Sequence, residues 1–225
     1  MERFIMQDLI AWKNRKDRKP LILLGARQVG KTYILKEFGQ REFENVAYIN
    51  CDNNAMAKDL FALDYNIDRI LLTIGAITGV NIEAGKTLII MDEIQELHRG
   101  LASLKYFCEN AREYHVAVAG SLLGLALHQG ESYPVGKVNT LEMYPMTFEE
   151  FLWARGFKQR MDLLQHGMWD VVKSLRTLYI QHLREYYLVG GMPEAVNKFI
   201  ETNDANAVRE VQEEIIRAYE KDISK

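Results

Sequence analysis

The residues GARQVGKT, Gly25 to Thr32, set two glycines, a lysine and a threonine at the spacing of a loop that cradles phosphate. Each residue type has a mechanical reason to be there. Gly25 and Gly30 permit backbone geometries that a side chain would obstruct, so successive N–H groups can turn inward onto phosphate oxygens. Lys31 is long enough to reach the β- and γ-phosphates of a nucleotide, and the Thr32 hydroxyl can ligate Mg²⁺. A helix that opens near Gly30 would aim its positive end at the same phosphates. The expected nucleotide-binding segment is Gly25, Ala26, Arg27, Gln28, Val29, Gly30, Lys31, Thr32 and Tyr33.

A phosphate loop that supports catalysis needs carboxylates beside it. LIIMDEIQ, Leu88 to Gln95, supplies two: four apolar residues lead into Asp92 and Glu93. In open α/β sheets, ligands lie outside the carboxyl ends of strands. Asp92 is therefore expected next to Mg²⁺ and Thr32. Glu93 is expected to face the γ-phosphate, where it can polarise an attacking water. An acidic residue at this place can also serve only to cap the following helix. The pair bears on reaction type. A kinase excludes water and clamps its donor with arginines, whereas a hydrolase needs a group for water. Asp92-Glu93 favours hydrolysis, and Arg155, Arg160 and Arg176 are not spaced as one cluster. VAVAGSLLG, Val116 to Gly124, is a further apolar strand ending in a small polar residue. Ser121 is placed to sense the γ-phosphate or the attacking water, or to cap a helix starting at Leu122.

These residues need a frame that brings strand ends together. Short apolar runs at Leu21–Leu24, Val46–Asn50, Leu88–Met91, Val116–Ala119 and Val138–Met143 read as strands. Helical spacing fills the gaps: Gly30–Phe38, Ile67–Ile77 and Leu101–Ala111. Buried strands alternating with helices predict an α/β fold with a parallel five-stranded sheet covered on both faces. After Pro145 the pattern becomes helical throughout. Thr147 and Glu150 in TFEEF form a capping box, and Val171–Val189 reads as one long helix. Two glycines end that helix, and Pro193 starts the next at its first turn. Val208–Tyr219 marks a last helix. The expected domains are an α/β core over residues 1–145 and a helical part over residues 146–225.

Composition narrows the classes. With 48% hydrophobic and 26% charged residues, and no run near 18 apolar residues, no membrane insertion is expected. Cys51 and Cys108 have no zinc spacing and the five histidines are scattered, so reduced thiols and a cytoplasmic address are expected. The net charge of −3 is uneven. Met1–Arg41 holds ten Lys/Arg against four Asp/Glu, which gives +6 there and −9 in the remainder. The basic run WKNRKDRKP reads as a solvated linker, with nucleic acid as the alternative partner.

In their order along the chain, GARQVGKT, LIIMDEIQ, VAVAGSLLG, PVGKVNTLEMYPMTFEEF and YYLVGGMPEAV resemble a large group of prokaryotic AAA-type ATPases. That resemblance implies a P-loop NTPase core with an additional strand. The strand ending at Ser121 would lie between those ending at Gly25 and Met91. It makes Asp92 the Walker B carboxylate on the magnesium side, Glu93 the catalytic glutamate, Ser121 the sensor, and the helical part a lid. Relatives usually show Gly-Arg where this chain has Gly136-Lys137. Lys137 keeps the charge for a γ-phosphate contact but lacks the planar fork. Relatives also continue past the YEKDI segment into a C-terminal domain, so the chain reads as a fragment of a longer protein. The expected activity is Mg²⁺-dependent ATP binding and hydrolysis driving a conformational switch. ATP and ADP are its ligands, a homo-oligomer is its candidate assembly, and a nucleic-acid or protein client is reached through the C-terminal domain. The alternatives are a nucleotide-gated binding module with little hydrolysis and a small-molecule phosphotransferase.

Overall fold

Uninterrupted apolar residues build the middle of a parallel sheet. The computed structural model describes residues 1–52, 54–58, 60–61, 64–121 and 134–223. Its strands are β1 (Leu21–Gly25), β2 (Asn45–Asn50), β3 (Thr87–Asp92), β4 (His115–Ser121) and β5 (Asn139–Met143), in the order β2-β3-β4-β1-β5. Every pairing among them is parallel. The later strand β4 lies between β1 and β3, which is the additional-strand order. Leu21, Ile22 and Leu23 of β1 and Leu88 to Met91 of β3 are fully buried, as strands covered on both faces must be.

Helices α1 (Ile5–Lys13), α2 (Lys31–Glu42), α3 (Ala55–Lys58), α4 (Ile67–Thr78) and α5 (Gly100–Asn110) belong with the sheet. Helix α2 runs one turn beyond the predicted Phe38. Phe38 and Gly39 are both buried, and the last turn closes through the Phe43 N–H to the Gly39 carbonyl. The amphipathic α4 buries Ile70, Leu71 and Ile74, begins at an Asn66 cap and ends at Gly79 with φ 69°. Helix α1 is not among the sequence expectations. It buries Leu9 and Trp12. Much of the basic run that starts at its end bonds to the chain itself: Lys13 to Glu42, Arg15 to Asp17, Arg18 to the Arg112 carbonyl and Lys19 to the Gly136 carbonyl.

His115, the first residue of β4, makes a pH-dependent contribution. It is buried, edge-on to Phe43 at 4.9 Å and to Trp12 at 6.0 Å between ring centroids, and its Nδ1 has no hydrogen-bond partner. Burial, then Arg18 and Lys13, push its pKa from 6.5 down to about 4. The folded chain therefore keeps His115 neutral while the unfolded chain takes up a proton below 6.5. Stability is complete above that pH and falls as pH drops toward 4. Urea unfolding at pH 7, 6 and 5 is expected to show His115→Phe losing less stability on acidification than the wild type. Parallel losses would contradict this assignment.

The chain divides by its internal contacts into two units: Ile5–Ala26 with Gly30–Met143, and Met1–Phe4 with Arg27–Val29 and Tyr144–Lys225. The second unit holds α6 (Phe148–Ala154), α7 (Lys158–Gln165), α8 (Trp169–Ser174), α9 (Arg176–Val189), α10 (Pro193–Thr202) and α11 (Ala205–Ile223). The predicted long helix Val171–Val189 is corrected to α8 and α9. At Leu175 the backbone leaves helical geometry, with φ −98° and ψ 16°. The Thr147–Glu150 capping box is present. Glu150 does more than cap, because its buried carboxylate also takes the Phe4 N–H at 2.7 Å and pairs with Arg3 at 3.0 Å. Arg3 in turn donates to the carbonyls of Val29 and Tyr144, and Tyr219 of α11 donates to the Arg27 carbonyl at 2.7 Å. Gly190 ends α9 at φ 73°. Gly191 meets Met146 backbone to backbone: the Met146 N–H donates to its carbonyl at 2.6 Å, and a Cβ there would overlap the Met146 carbonyl. The segments PMTFEEF and GGMPEAV are thus one packed junction.

Candidate functional site

The loop between β1 and α2 leaves a buried strand and enters a helix. Gln28 has φ 63°, and Gly30, at the helix N-cap, has φ 94° and ψ 24°. A β-carbon is disfavoured at such φ, which is why glycine suits position 30. No side chain caps α2, so its first N–H groups remain the natural partners of an anion. Lys31 is the first residue of α2 and only 7% exposed. Its ammonium donates to the carbonyls of Gly25 at 2.9 Å and Ala26 at 2.8 Å. The lysine is therefore folded back over the loop it belongs to. Tyr33, next in α2 after Thr32, is half exposed.

Sheet order brings the acidic strand end to this loop. Asp92 closes β3 and is 6% exposed. Its Oδ2 accepts the Thr32 hydroxyl at 2.5 Å, joining residues 60 positions apart. The same oxygen accepts the Tyr48 hydroxyl at 3.2 Å. The Cys51 N–H, just past β2, donates to the Asp92 carbonyl at 2.9 Å and fixes the strand end from the other side. Burial, with Asp92 and Glu93 close by, pushes the Cys51 thiol up to about 12. It stays a neutral thiol rather than a nucleophile. Burial and Asp92 likewise push Tyr48 up to about 12, so it remains a hydrogen-bond donor.

Glu93 occupies a left-handed conformation, φ 52° and ψ 44°. For a residue with a side chain this costs on the order of 1–3 kcal/mol, and such strain concentrates at functional positions. Glu93 stands at the N-cap position of the short 3-10 turn Ile94–Glu96 but makes no side-chain cap. Its Oε2 instead accepts the side-chain amide of Gln95. Gln95 is itself buried, and its Oε1 has no partner. Sequence reading misses Tyr48 and Gln95. The place of Gln95, two residues after Glu93, is a signal that could have found it. Tyr48 offers none, because only the pairing of β2 with β3 brings it to Asp92.

The other expected residues divide. Ser121 ends β4 in register with Gly25 of β1, so its backbone lies at the same sheet end as the loop. The residues that follow it, Leu122 included, lie outside the described residues. Lys137, expected as a γ-phosphate contact, lies at another part of the sheet. It precedes β5, whose first residue Asn139 pairs with Leu21 at the start of β1, the sheet end away from the loop. There it pairs with Glu109 at 2.7 Å. Arg155 pairs with Glu185 at 3.3 Å and its guanidinium lies over the Phe199 ring, a packing role inside the helical unit.

The donor set suits magnesium with a nucleotide. Thr32 commits its proton to Asp92 and keeps oxygen lone pairs for a hard cation. Among the described residues no group of three His, Cys, Asp or Glu could hold a metal. None is required, because Mg²⁺ keeps waters and binds through one or two protein oxygens plus phosphates. Among the same residues no helix is long and apolar enough to cross a membrane.

Residues 17–152 match the AAA domain family, and residues 180–225 match a domain of unknown function (DUF8612). The uncharacterized protein MJ1637 of Methanocaldococcus jannaschii is 28% identical over 205 residues, 80% of this chain and 39% of that protein. Among solved structures, a mutant of RuvB from Thermotoga maritima has a TM-score of 0.44 at 19% identity, covering 72% of this chain and 49% of the other. Orc1 from Aeropyrum pernix, solved in complex with DNA, has a TM-score of 0.39 at 14% identity, covering 65% and 45%. The chain spans less than half the length of the curated relative it matches.

Proposed function

Because the chain belongs to the AAA domain family, we propose that it binds ATP with Mg²⁺ and hydrolyses it, the cycle driving a conformational change. The observation that carries this reading is the 2.5 Å hydrogen bond from Thr32 to Asp92, which ties the phosphate loop to the acidic strand end. In this reading the N–H groups of Gly25–Thr32 hold the phosphates. Lys31 exchanges its bonds to the Gly25 and Ala26 carbonyls for phosphate oxygens. Thr32 and Asp92 hold Mg²⁺, which when bound neutralises charge on the β- and γ-phosphates. Glu93 orients the attacking water and accepts its proton, and Ser121 reports the γ-phosphate. The helical unit acts as the lid. Its Tyr219 and Arg3 hold the carbonyls of Arg27 and Val29, so a shift of those loop residues on binding would be felt at both side chains. The work is delivered to a protein or nucleic-acid client, by this chain or by a homo-oligomer of it.

One observation favours a slow form of the same module. The Gln95 amide occupies an oxygen of Glu93 and holds the base against its own turn. Phosphate release from Mg·ATP, followed with and without EDTA, tests the proposal. The expected result is binding and Mg²⁺-dependent release. No binding of Mg·ATP by calorimetry would overturn it.

A further inference from the structure

Tyr48 has no part in the reaction as described, yet its phenol is bonded to the carboxylate at the centre of the site. The hydroxyl donates to Asp92 Oδ2 at 3.2 Å, the same oxygen that accepts Thr32 at 2.5 Å. The two donors come from different elements. Thr32 is in the first turn of α2, and Tyr48 is on β2, where it pairs with Ile90 two residues before Asp92. The Tyr48 ring is fixed as well. The Lys36 ammonium lies 3.5 Å from its centroid, an attraction of about 0.5–2 kcal/mol. Lys36 follows Thr32 by four positions, so the two share one face of α2 and approach Tyr48 and Asp92 together.

A carboxylate rotates easily about its last torsion, whose energy well is broad. Two O–H donors converging on one oxygen define that rotation. We propose that Tyr48 is a positioning residue for the magnesium-side carboxylate, orienting Asp92 so that the Thr32 oxygen stays available to Mg²⁺. This rests on the reading of Thr32 and Asp92 given above, and adds a residue to it. Partners of this kind, behind the residues that hold a metal, typically contribute 10- to 100-fold in metal affinity.

Tyr48→Phe keeps the ring, its packing and the Lys36 contact, and removes only the hydroxyl. ADP binding is measured by calorimetry across a Mg²⁺ series and again in EDTA, with thermal unfolding in EDTA alongside. The expected result is a Mg²⁺ midpoint raised by about 10-fold, with ADP affinity in EDTA and the unfolding temperature close to wild type. Lys36→Met, which keeps the hydroxyl but frees the ring, is expected to move the midpoint the same way by less. A purely structural tyrosine would leave the midpoint unchanged. Wild-type midpoints in both variants would overturn the role of Tyr48 and leave the nucleotide site standing. A wild-type protein whose ADP binding ignores Mg²⁺ would overturn the reading of Thr32 and Asp92, and this inference with it.

Discussion

Glu93→Gln is expected to keep Mg·ATP affinity within about 3-fold of wild type and to lower turnover by about 10²- to 10⁴-fold, the usual contribution of a positioned general base. The selectivity follows from what the two side chains share. Glutamine matches glutamate in size and occupies the same strained backbone position, φ 52°, so the loop and Asp92 are left as they are. It can still accept a hydrogen bond from Gln95 through its carbonyl oxygen, so the local contact also survives. What it lacks is a basic oxygen for the proton of the attacking water. Calorimetry with Mg·ATP and single-turnover phosphate release separate the two effects. Wild-type turnover in the variant would remove Glu93 from the chemistry. Weakened binding at unchanged turnover would show that the carboxylate holds the nucleotide rather than the water.

Much of the frame can be read from residues alone, for reasons that differ by element. Strand β3 is legible because four apolar residues in a row have no exposed face to offer. Its ends are less so: Thr87 and Asp92 are buried strand residues that polarity alone assigns to turns. The capping box at Thr147 is legible because both of its hydrogen bonds are local. The long helix Val171–Val189 is misread because apolar spacing continues across Leu175, and the turn there carries neither glycine nor proline to mark it. At the site, Asp92 closes β3 and Thr32 opens the helix after the loop that leaves β1, so local patterns put both at one end of a parallel sheet. Tyr48 depends on β2 pairing with β3, a fact of sheet order that no local pattern contains. Lys137 comes from resemblance, and only the register of β5 against β1 shows which end of the sheet it occupies.

Lys31→Ala is expected to weaken Mg·ATP binding by about 10- to 100-fold. That corresponds to losing charge-assisted hydrogen bonds worth roughly 1.5–3 kcal/mol. Two arguments place the loss in binding rather than in folding. The ammonium stands at the N-terminus of α2, where the helix dipole and the uncapped N–H groups already favour an anion. Its removal takes a cation from a spot at which phosphate charge would gather. The same ammonium bonds to loop carbonyls, at 2.8 and 2.9 Å. The truncated loop loses those bonds, which typically contribute about 1 kcal/mol each or somewhat more because the donor is charged. A modest drop in thermal stability without nucleotide is therefore expected together with the larger loss of affinity. Lys31→Met restores most of the buried chain without the charge, so it should recover the stability and not the binding. If both variants bound Mg·ATP as the wild type does, Gly25–Thr32 would be a strand-to-helix turn and nothing more. If only the alanine variant bound weakly, the loss would belong to loop collapse. Loss in both, with stability recovered in the methionine variant, assigns the effect to the charge that Lys31 brings to the phosphates.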